Sequence, residues 1–412
     1  MSENNDIIAG LDIGTTKIAA VIGQVREGGI EVIGAGKSPS QGLRKGIIVN
    51  IDSTVEAITR AVEEAEMMAG VEVDSVFVGL GGSHIKGINT RGMVAISSRN
   101  REIGLQDVNR AVEAAKSIAI PSDREILHIF NQEFKVDDQD GIKDPVGMSG
   151  SRLEVEVHIV TASNTAVENI VKSVNRAGLK VNHIVLQSFA SALSVMADEE
   201  KELGEALIDF GGGTIDILMY VNGGIWHSGV LAVGGNNITN DIAIGMRTPA
   251  MLAEEIKCRF AVASRLTRVD SQEFEIPGIV GKEPRKASMI ELTGIVEPRM
   301  AEIFGLIRKE LDSTGFTDLL AGGVMLTGGA SQLKGTAELG EQVLGLPVRV
   351  AGPRNIKGVI DSVSNPAWSA ATGLMLYGYQ FSHEFASDAA PKSGASLKSG
   401  INNFVKWLKE YF

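Results

Sequence analysis

The chain has 412 residues, 44% of them hydrophobic and 22% charged, an ordinary globular composition with room for two or three domains. A formal charge of −12 argues against nucleic-acid binding, and the single cysteine, Cys258, excludes an internal disulfide framework and fits a reducing compartment. The opening MSENNDIIAG shows no export signal, and no run approaches the roughly 18 apolar residues of a membrane span, so the expectation is a cytosolic protein.

IIAGLDIG, KIAAVIGQV and IEVIGAGK, within residues 6–37, read as three strands. The first turn, in LDIGTTKIAAVI, carries Asp12, Gly14, Thr15, Thr16 and Lys17. A helix is predicted from about Ser53 to Ala69, with Val55, Ile58, Val62 and Ala65 on one face, Asp52 or Ser53 as its cap and Gly70 at its end. VDSVFVGLGG (73–82) is a short buried strand, and together these make an α/β half-domain with a mixed sheet.

From about His84 to His158 the pattern alternates like half-exposed strands, in TRGMVAISS, EILHIFNQEFKVD and SRLEVEVHIVTA. One helix, about Leu105–Ala119, lies among them and is stopped by Pro121, so this stretch reads as an inserted α+β subdomain. Its loop DDQDGIKDPVGMSG carries no catalytic constellation, and His84, His128 and His158 stand at no metal-ligand spacing. They read as surface or core histidines.

Residues 163–178 form an amphipathic helix begun by Ser163 or Asn164, with Val167, Ile170, Val171 and Val174 on one face. The strand NHIVLQ and the helix FASALSVMA follow. Gln187, between them, is placed either to orient a water molecule or to serve as a capping or surface amide.

ALIDFGGGTIDILMYVNGGIWHSGVLAVGG (206–235) repeats the three-strand plan. Asp12 aligns with Asp209, Gly14 with Gly211 and Ile18 with Ile215. Gly211, Gly212 and Gly213 let backbone wrap closely around an anion and present N–H groups to it, while Asp209 and Asp216 suit a hydrated Mg²⁺ on polyphosphate. One Gly-rich hairpin with edge aspartates is common. Two such hairpins imply two related half-domains facing one cleft. Neither is a Walker loop, because both join strand to strand.

A helix from about Ile238 leads into a charged region, 241–304, that reads as a second insertion with AEEIKCRF and the loop EIPGIVGKEPRKAS. A long helix spans about Leu292–Asp312, with Pro298 inside it or marking a kink. GVMLTGGASQL (323–333) is a buried strand whose Gly-Gly turn starts a helix, a place where a helix N-terminus can meet a nucleotide. The last helix of the folded body is predicted at 366–380, ending on Gly378.

FSHEFASDAAPKSGAS (381–396) reads as a flexible linker of roughly 20 Å r.m.s. span and a limit near 50 Å. In LKSGINNFVKWLKEYF the residues Leu397, Ile401, Phe404, Val405, Leu408 and Phe412 share one helical face, flanked by Trp407, Lys406 and Lys409. The pattern fits a helix lying in a membrane interface or a helix docked on its own domain. So short a helix is marginal in water and would fold on binding.

LDIGTTKIAAVIG, DFGGGTIDI, AVGGNNITNDIA, AEEIKCRF, IVEPRM, LTGGASQLKG and the amphipathic tail resemble the actin, heat-shock chaperone and sugar-kinase superfamily. Within it they are most similar to the FtsA family of bacterial actin-like cell-division proteins. The resemblance implies an α/β actin-like ATPase fold with two half-domains around a nucleotide cleft. Residues 1–83 with 163–192 and 361–380 would form the first core and 84–162 its insertion. Residues 193–240 with 305–360 would form the second core, and 241–304 a smaller lid.

It implies ATP and Mg²⁺ as cofactors. Asp12, Gly14, Thr15, Thr16 and Lys17 match the first phosphate loop, and Asp209, Gly211, Gly212, Gly213, Thr214 and Asp216 the second. Asp12 and Asp209 would hold the metal through water, and Gln187 would orient the attacking water. Gly234, Gly235 and Asn236 would approach the nucleotide, Glu254 and Lys257 its ribose or base, and Gly328, Gly329 and Ala330 the adenine side.

The implied activity is ATP binding with slow or negligible hydrolysis. The implied partners are FtsZ, docking near Glu297 and Arg299 on the lid, further copies of the chain in actin-like filaments, and later division proteins such as FtsN. The tail would bind the cytoplasmic face of the cell membrane at the division site. A solvated helix face accounts equally for Glu297 and Arg299. A small-molecule kinase or an actin-like pilus-assembly protein would share the fold, but the first needs a substrate base not visible here and the second lacks the tail.

Overall fold

The computed structural model describes residues 7–98, 100–265, 273–277 and 284–388. The chain opens with an antiparallel meander, β1 (Ile7–Ile13), β2 (Lys17–Arg26) and β3 (Gly29–Pro39). A two-stranded ribbon, β4 (Leu43–Arg44) with β5 (Ile47–Ile48), leads into α1 (Ile51–Ala69). The cap of α1 is Asn50, not Asp52 or Ser53, because its Oδ1 reaches the Ser53 N–H at 3.1 Å. Gly70 closes the helix in the left-handed region, φ 70°. Strand β6 (Ser75–Leu80) then runs parallel to β1.

The insertion consists of β7 (Lys86–Ala95), α2 (Leu105–Ala115), β8 (Arg124–Val136), β9 (Gln139–Ile142) and β10 (Arg152–Ser163). Its antiparallel sheet has the order β7-β10-β8-β9, with α2 laid on Gly92, where a Cβ would stand 2.0 Å from the Ala111 carbonyl oxygen. Helix α2 stops short of Ala119 because Ser117 tightens its last turn, its Oγ donating to the Glu113 carbonyl at 3.2 Å. Ile103, Val108, Val112, Leu153 and Val155 build a core belonging to this subdomain alone.

The chain returns through α3 (Asn164–Arg176), β11 (Lys180–Leu186), α4 (Gln187–Val195) and α5 (Asp198–Leu203). The second meander is β12 (Glu205–Phe210), β13 (Ile215–Val221) and β14 (Gly224–Leu231). Every residue of β12 and β13 is buried, which explains their continuous apolar runs. Helix α6 (Gly235–Gly245) leads into the region expected to be the lid, with α7 (Ala250–Phe260) and a hairpin of β15 (Glu273–Ile276) with β16 (Arg285–Ser288). The segment expected to be a loop at 275–288 therefore has paired ends. Helix α8 (Met289–Thr314) begins earlier than expected, because the Ser288 hydroxyl accepts the Glu291 N–H at 3.1 Å, and it continues through Pro298.

Strand β17 (Gly323–Thr327), helix α9 (Thr336–Leu344), strands β18 (Val348–Val350) and β19 (Lys357–Gly358), and helices α10 (Ile360–Val363) and α11 (Ser369–Asp388) complete the described chain. The turn after β17 is a 3₁₀ turn, Gly329–Gln332, and the expected helix begins only at Thr336. Helix α11 runs past Gly378 into the stretch expected to be linker. Gly378 is a packing glycine, since a Cβ there would stand 2.5 Å from the Phe77 ring, and Phe381 continues the contact with its ring 5.9 Å from that of Phe77.

The first half-domain sheet has the order β11-β6-β1-β2-β3-β19 and the second β14-β13-β12-β17-β18. One apolar core joins the first sheet, α4 and α11 to Leu207, Leu218, Tyr220 and Ile225 of the second. The lid helices cover the other face of the second sheet. The predicted membrane-binding residues Leu397, Ile401, Phe404, Val405, Lys406, Trp407, Leu408, Lys409 and Phe412 lie outside the described residues.

Candidate nucleotide site

The two meander turns have the same backbone: Gly14 N–H donates to the Lys17 carbonyl at 3.1 Å, and Gly211 N–H to the Thr214 carbonyl at 3.0 Å. They meet face to face. A Cβ on Gly212 would stand 1.7 Å from Thr16 Oγ1, and one on Gly213 2.7 Å from Thr15 Oγ1. These glycines are there for close approach. Beside them opens a cavity of about 400 Å³, a size suited to a nucleotide.

Asp12, Gly14, Thr15, Thr16 and Lys17 line the cavity from the first half-domain. Asp209, Gly211, Gly212, Gly213, Thr214 and Asp216 line it from the second, with Gly328, Gly329 and Ala330 nearby. Gly235 also lines it, whereas Gly234 and Asn236 act from behind. The Gly235 and Asn236 N–H groups hold the carbonyls of Gly211 and Gly212 at 3.0 and 2.8 Å, and Gly234 N–H donates to Asn237 Oδ1 at 3.0 Å.

On α7, Glu254 and Lys257 form an ion pair of 2.6 Å at the cavity wall. Lys257 Nζ also donates to Thr239 Oγ1 at 2.9 Å and the Gly235 carbonyl at 3.2 Å, while Thr239 bonds Glu254. Burial opposes the charge of Glu254, but Lys257, Thr239 and Cys258 hold its carboxyl below the usual range.

Three buried carboxylates meet at the phosphate end. Asp12 accepts from Gln187 Nε2 at 3.0 Å and lies 3.4 Å from Lys17 Nζ; burial raises its pKa against the opposing lysine. Asp209 accepts from Ser191 Oγ at 2.6 Å, and burial pushes it to about 6 against that bond, with Asp12 adding to the rise. Burial and then Asp209 push Asp216 to about 7, opposed by hydrogen bonds from Thr214 and Gly82. Asp216 Oδ1 is buried without a hydrogen-bond partner among the described residues.

Three carboxylates facing one lysine are a donor set for a hard cation, and the orphaned oxygen of Asp216 marks unmet demand. Among the described residues no three His, Cys, Asp or Glu converge on a single metal point. A Mg²⁺ here would therefore keep water and phosphate oxygens as most of its ligands, which suits that ion. Glycine amides, Lys17 and the aspartates together fit a magnesium polyphosphate.

Gln187 opens α4 with its side chain in the cavity, so it is neither a surface amide nor a free one. The sequence reading missed Ser191, Thr239, Gly46, which donates to Thr15 Oγ1 at 3.0 Å, and the wall formed by Pro366, Ala367 and Ala370. Ser191 was findable, since it sits one helical turn beyond Gln187. The wall of small apolar residues carried no chemical signal.

Glu297 and Arg299 differ from the solvated face considered above. Both are half-buried and paired within the lid. Glu297 accepts from Ser264 Oγ at 3.0 Å and from Arg265 N–H at 2.9 Å, and Arg299 grips Asp241 through Nε at 2.5 Å and Nη2 at 3.1 Å.

Family models match two regions: "SHS2 domain inserted in FTSA" at residues 82–161 and "Cell division protein FtsA" at 206–373. The chain is 44% identical over 417 residues to the cell division protein FtsA of Pseudomonas aeruginosa, covering 100% of this chain and 99% of the relative. It is 42% identical to that of Neisseria meningitidis, covering 91% of each. Among solved structures it resembles a PilM–PilN type IV pilus biogenesis complex, with TM-score 0.65, 18% identity and coverage of 90% and 98%. It also resembles MreB5 of Spiroplasma citri bound to ADP, with TM-score 0.56, 15% identity and coverage of 92% and 98%. These structural likenesses speak for an actin-like fold alone. Full-length identity to the curated relatives goes further, and the chain belongs to the FtsA family of cell division proteins.

Proposed function

We propose that this chain binds ATP with Mg²⁺ in the cleft, polymerises in an actin-like manner, and tethers FtsZ filaments to the cytoplasmic face of the cell membrane at the division site. The observation that carries the nucleotide part is the pair of matching glycine turns closing on a cavity with three buried carboxylates and Lys17. When bound, the metal would neutralise phosphate charge. Lys17 would add a point charge, and the loop amides would orient the phosphates. Gln187, held by its bond to Asp12, would orient a water through its amide, which is a poor base. We therefore expect ATP turnover to be slow or negligible.

The tethering part is supported by family membership and by the sequence of the tail. Each large apolar side chain of the 397–412 stripe contributes at most ~1.5–3 kcal/mol on burial, less the cost of ordering the helix. A single tail would bind weakly, and a filament carrying many tails would hold. FtsZ would dock on the lid near Glu297 and Arg299, where breaking their internal ion pairs is part of the cost. Later division proteins such as FtsN would be recruited through the insertion. Removing residues 397–412 should abolish co-sedimentation with anionic liposomes while ATP binding persists. Equal pelleting of the truncated chain would overturn the tether.

A further inference from the structure

The inserted subdomain touches the second half-domain along a polar seam. Strands β7 and β14 are the edges of their respective sheets, and here they lie together. Asn89 Nδ2 donates to the Trp226 carbonyl at 3.1 Å, and Gln132 Nε2 donates to the Ile225 carbonyl at 3.1 Å. At the centre sits His158, 2% exposed, with Nδ1 2.6 Å from Asn89 Oδ1 and Nε2 2.8 Å from Ser228 Oγ. Asn89 Oδ1 can only accept, so Nδ1 carries the proton and Nε2 accepts from the serine hydroxyl. Burial, reinforced by His227, keeps the ring neutral down to about 3. Gly87 makes the contact possible: a Cβ there would stand 2.5 Å from both His158 Cε1 and Ser228 Oγ.

Both strands of the seam lead directly to the cleft. Strand β7 begins shortly after Gly81, which packs against the cleft: a Cβ there would stand 2.4 Å from Gln187 Oε1 and 3.4 Å from Asp216 Oδ1. Strand β14 ends shortly before Gly235 and Asn236, whose N–H groups hold the carbonyls of the Gly211–Gly213 turn. Short lengths of chain therefore join the supports of the phosphate loops to the seam. At the seam the His158 ring is paired at both nitrogens and resists slippage, since sliding would leave those buried groups unmatched.

We propose that the His158–Asn89–Ser228 lattice passes the state of the nucleotide cleft to the inserted subdomain, so that cleft occupancy sets the orientation of the insertion. This rests on the nucleotide reading above. Hydrogen exchange of the full chain, with and without a non-hydrolysable ATP analogue and Mg²⁺, tests both separately. In the wild type the analogue should slow exchange in residues 12–17 and 209–216 and also alter it in 86–95 and 124–136. In Ser228→Ala and in Gly87→Ala the loop protection should persist while the response of the insertion is lost. Should Gly87→Ala fail to fold, Ser228→Ala, which removes only a hydroxyl, carries the test. Loop protection with a silent insertion in the wild type, or an insertion response surviving in the variants, overturns the coupling alone. Unprotected loops in the wild type overturn the nucleotide reading and the coupling with it.

Discussion

Lys17 is the cation that faces Asp12 across the candidate nucleotide cavity, and it is itself part-exposed. A hydrogen bond to a charged group contributes about 1.5–3 kcal/mol, so Lys17→Ala should weaken ATP about ten- to a hundredfold by calorimetry, with little change in melting temperature. Asp216 makes a pH-dependent prediction. Its folded pKa of about 7 stands above the ordinary 3.8, so between those values the folded chain holds the extra proton and stability falls as pH rises. Asp216→Asn has no such penalty. The melting temperature of the nucleotide-free variant minus that of the wild type should therefore grow from pH 5 to pH 8 and then level off. A gap independent of pH would refute this account. The chemistry of these residues was legible in the sequence because Asp12 and Asp209 repeat one pattern. The bond from Gln187 to Asp12 spans 175 residues and is made only by folding, whereas Ser191 stands 18 residues from its partner Asp209.

Helices α4 and α11 lie between the two sheets at glycine contacts, where element packing decides which substitutions are tolerated. A Cβ on Gly373 would stand 1.7 Å from the Ala190 carbonyl oxygen, whereas one on Gly305 of α8 would meet nothing within 4 Å. Gly373→Ala should thus cost about 1–3 kcal/mol through overpacking. Gly305→Ala should stabilise by about 0.5–1 kcal/mol through lost chain entropy. Urea denaturation of the two variants checks the contrast, and equal effects would contradict it. The same contacts explain what the sequence reading missed. Gly378 looked like a helix end, and it is a glycine because Phe77 presses on that face. The hairpin of β15 and β16 was hidden by the Pro- and Gly-rich composition of its surroundings.

At the scale of the whole molecule, the half-domain duplication and the insertion were legible because each changes the periodicity of the chain over many residues. The seam between insertion and second half-domain was not, since Asn89, His158 and Ser228 carry no shared pattern. The fold places the candidate nucleotide cleft between two joined half-domains, with Ala370 of α11 in the cleft wall. In the proposed function, nucleotide-dependent assembly and membrane attachment occur in one particle. Electron microscopy of the full chain on an anionic lipid monolayer, with ATP and Mg²⁺, reads both at once. Filaments should lie on the lipid with ATP, and none on the lipid once residues 397–412 are removed. A bare monolayer with the full chain and ATP, or filaments that attach equally well without the tail, would contradict it.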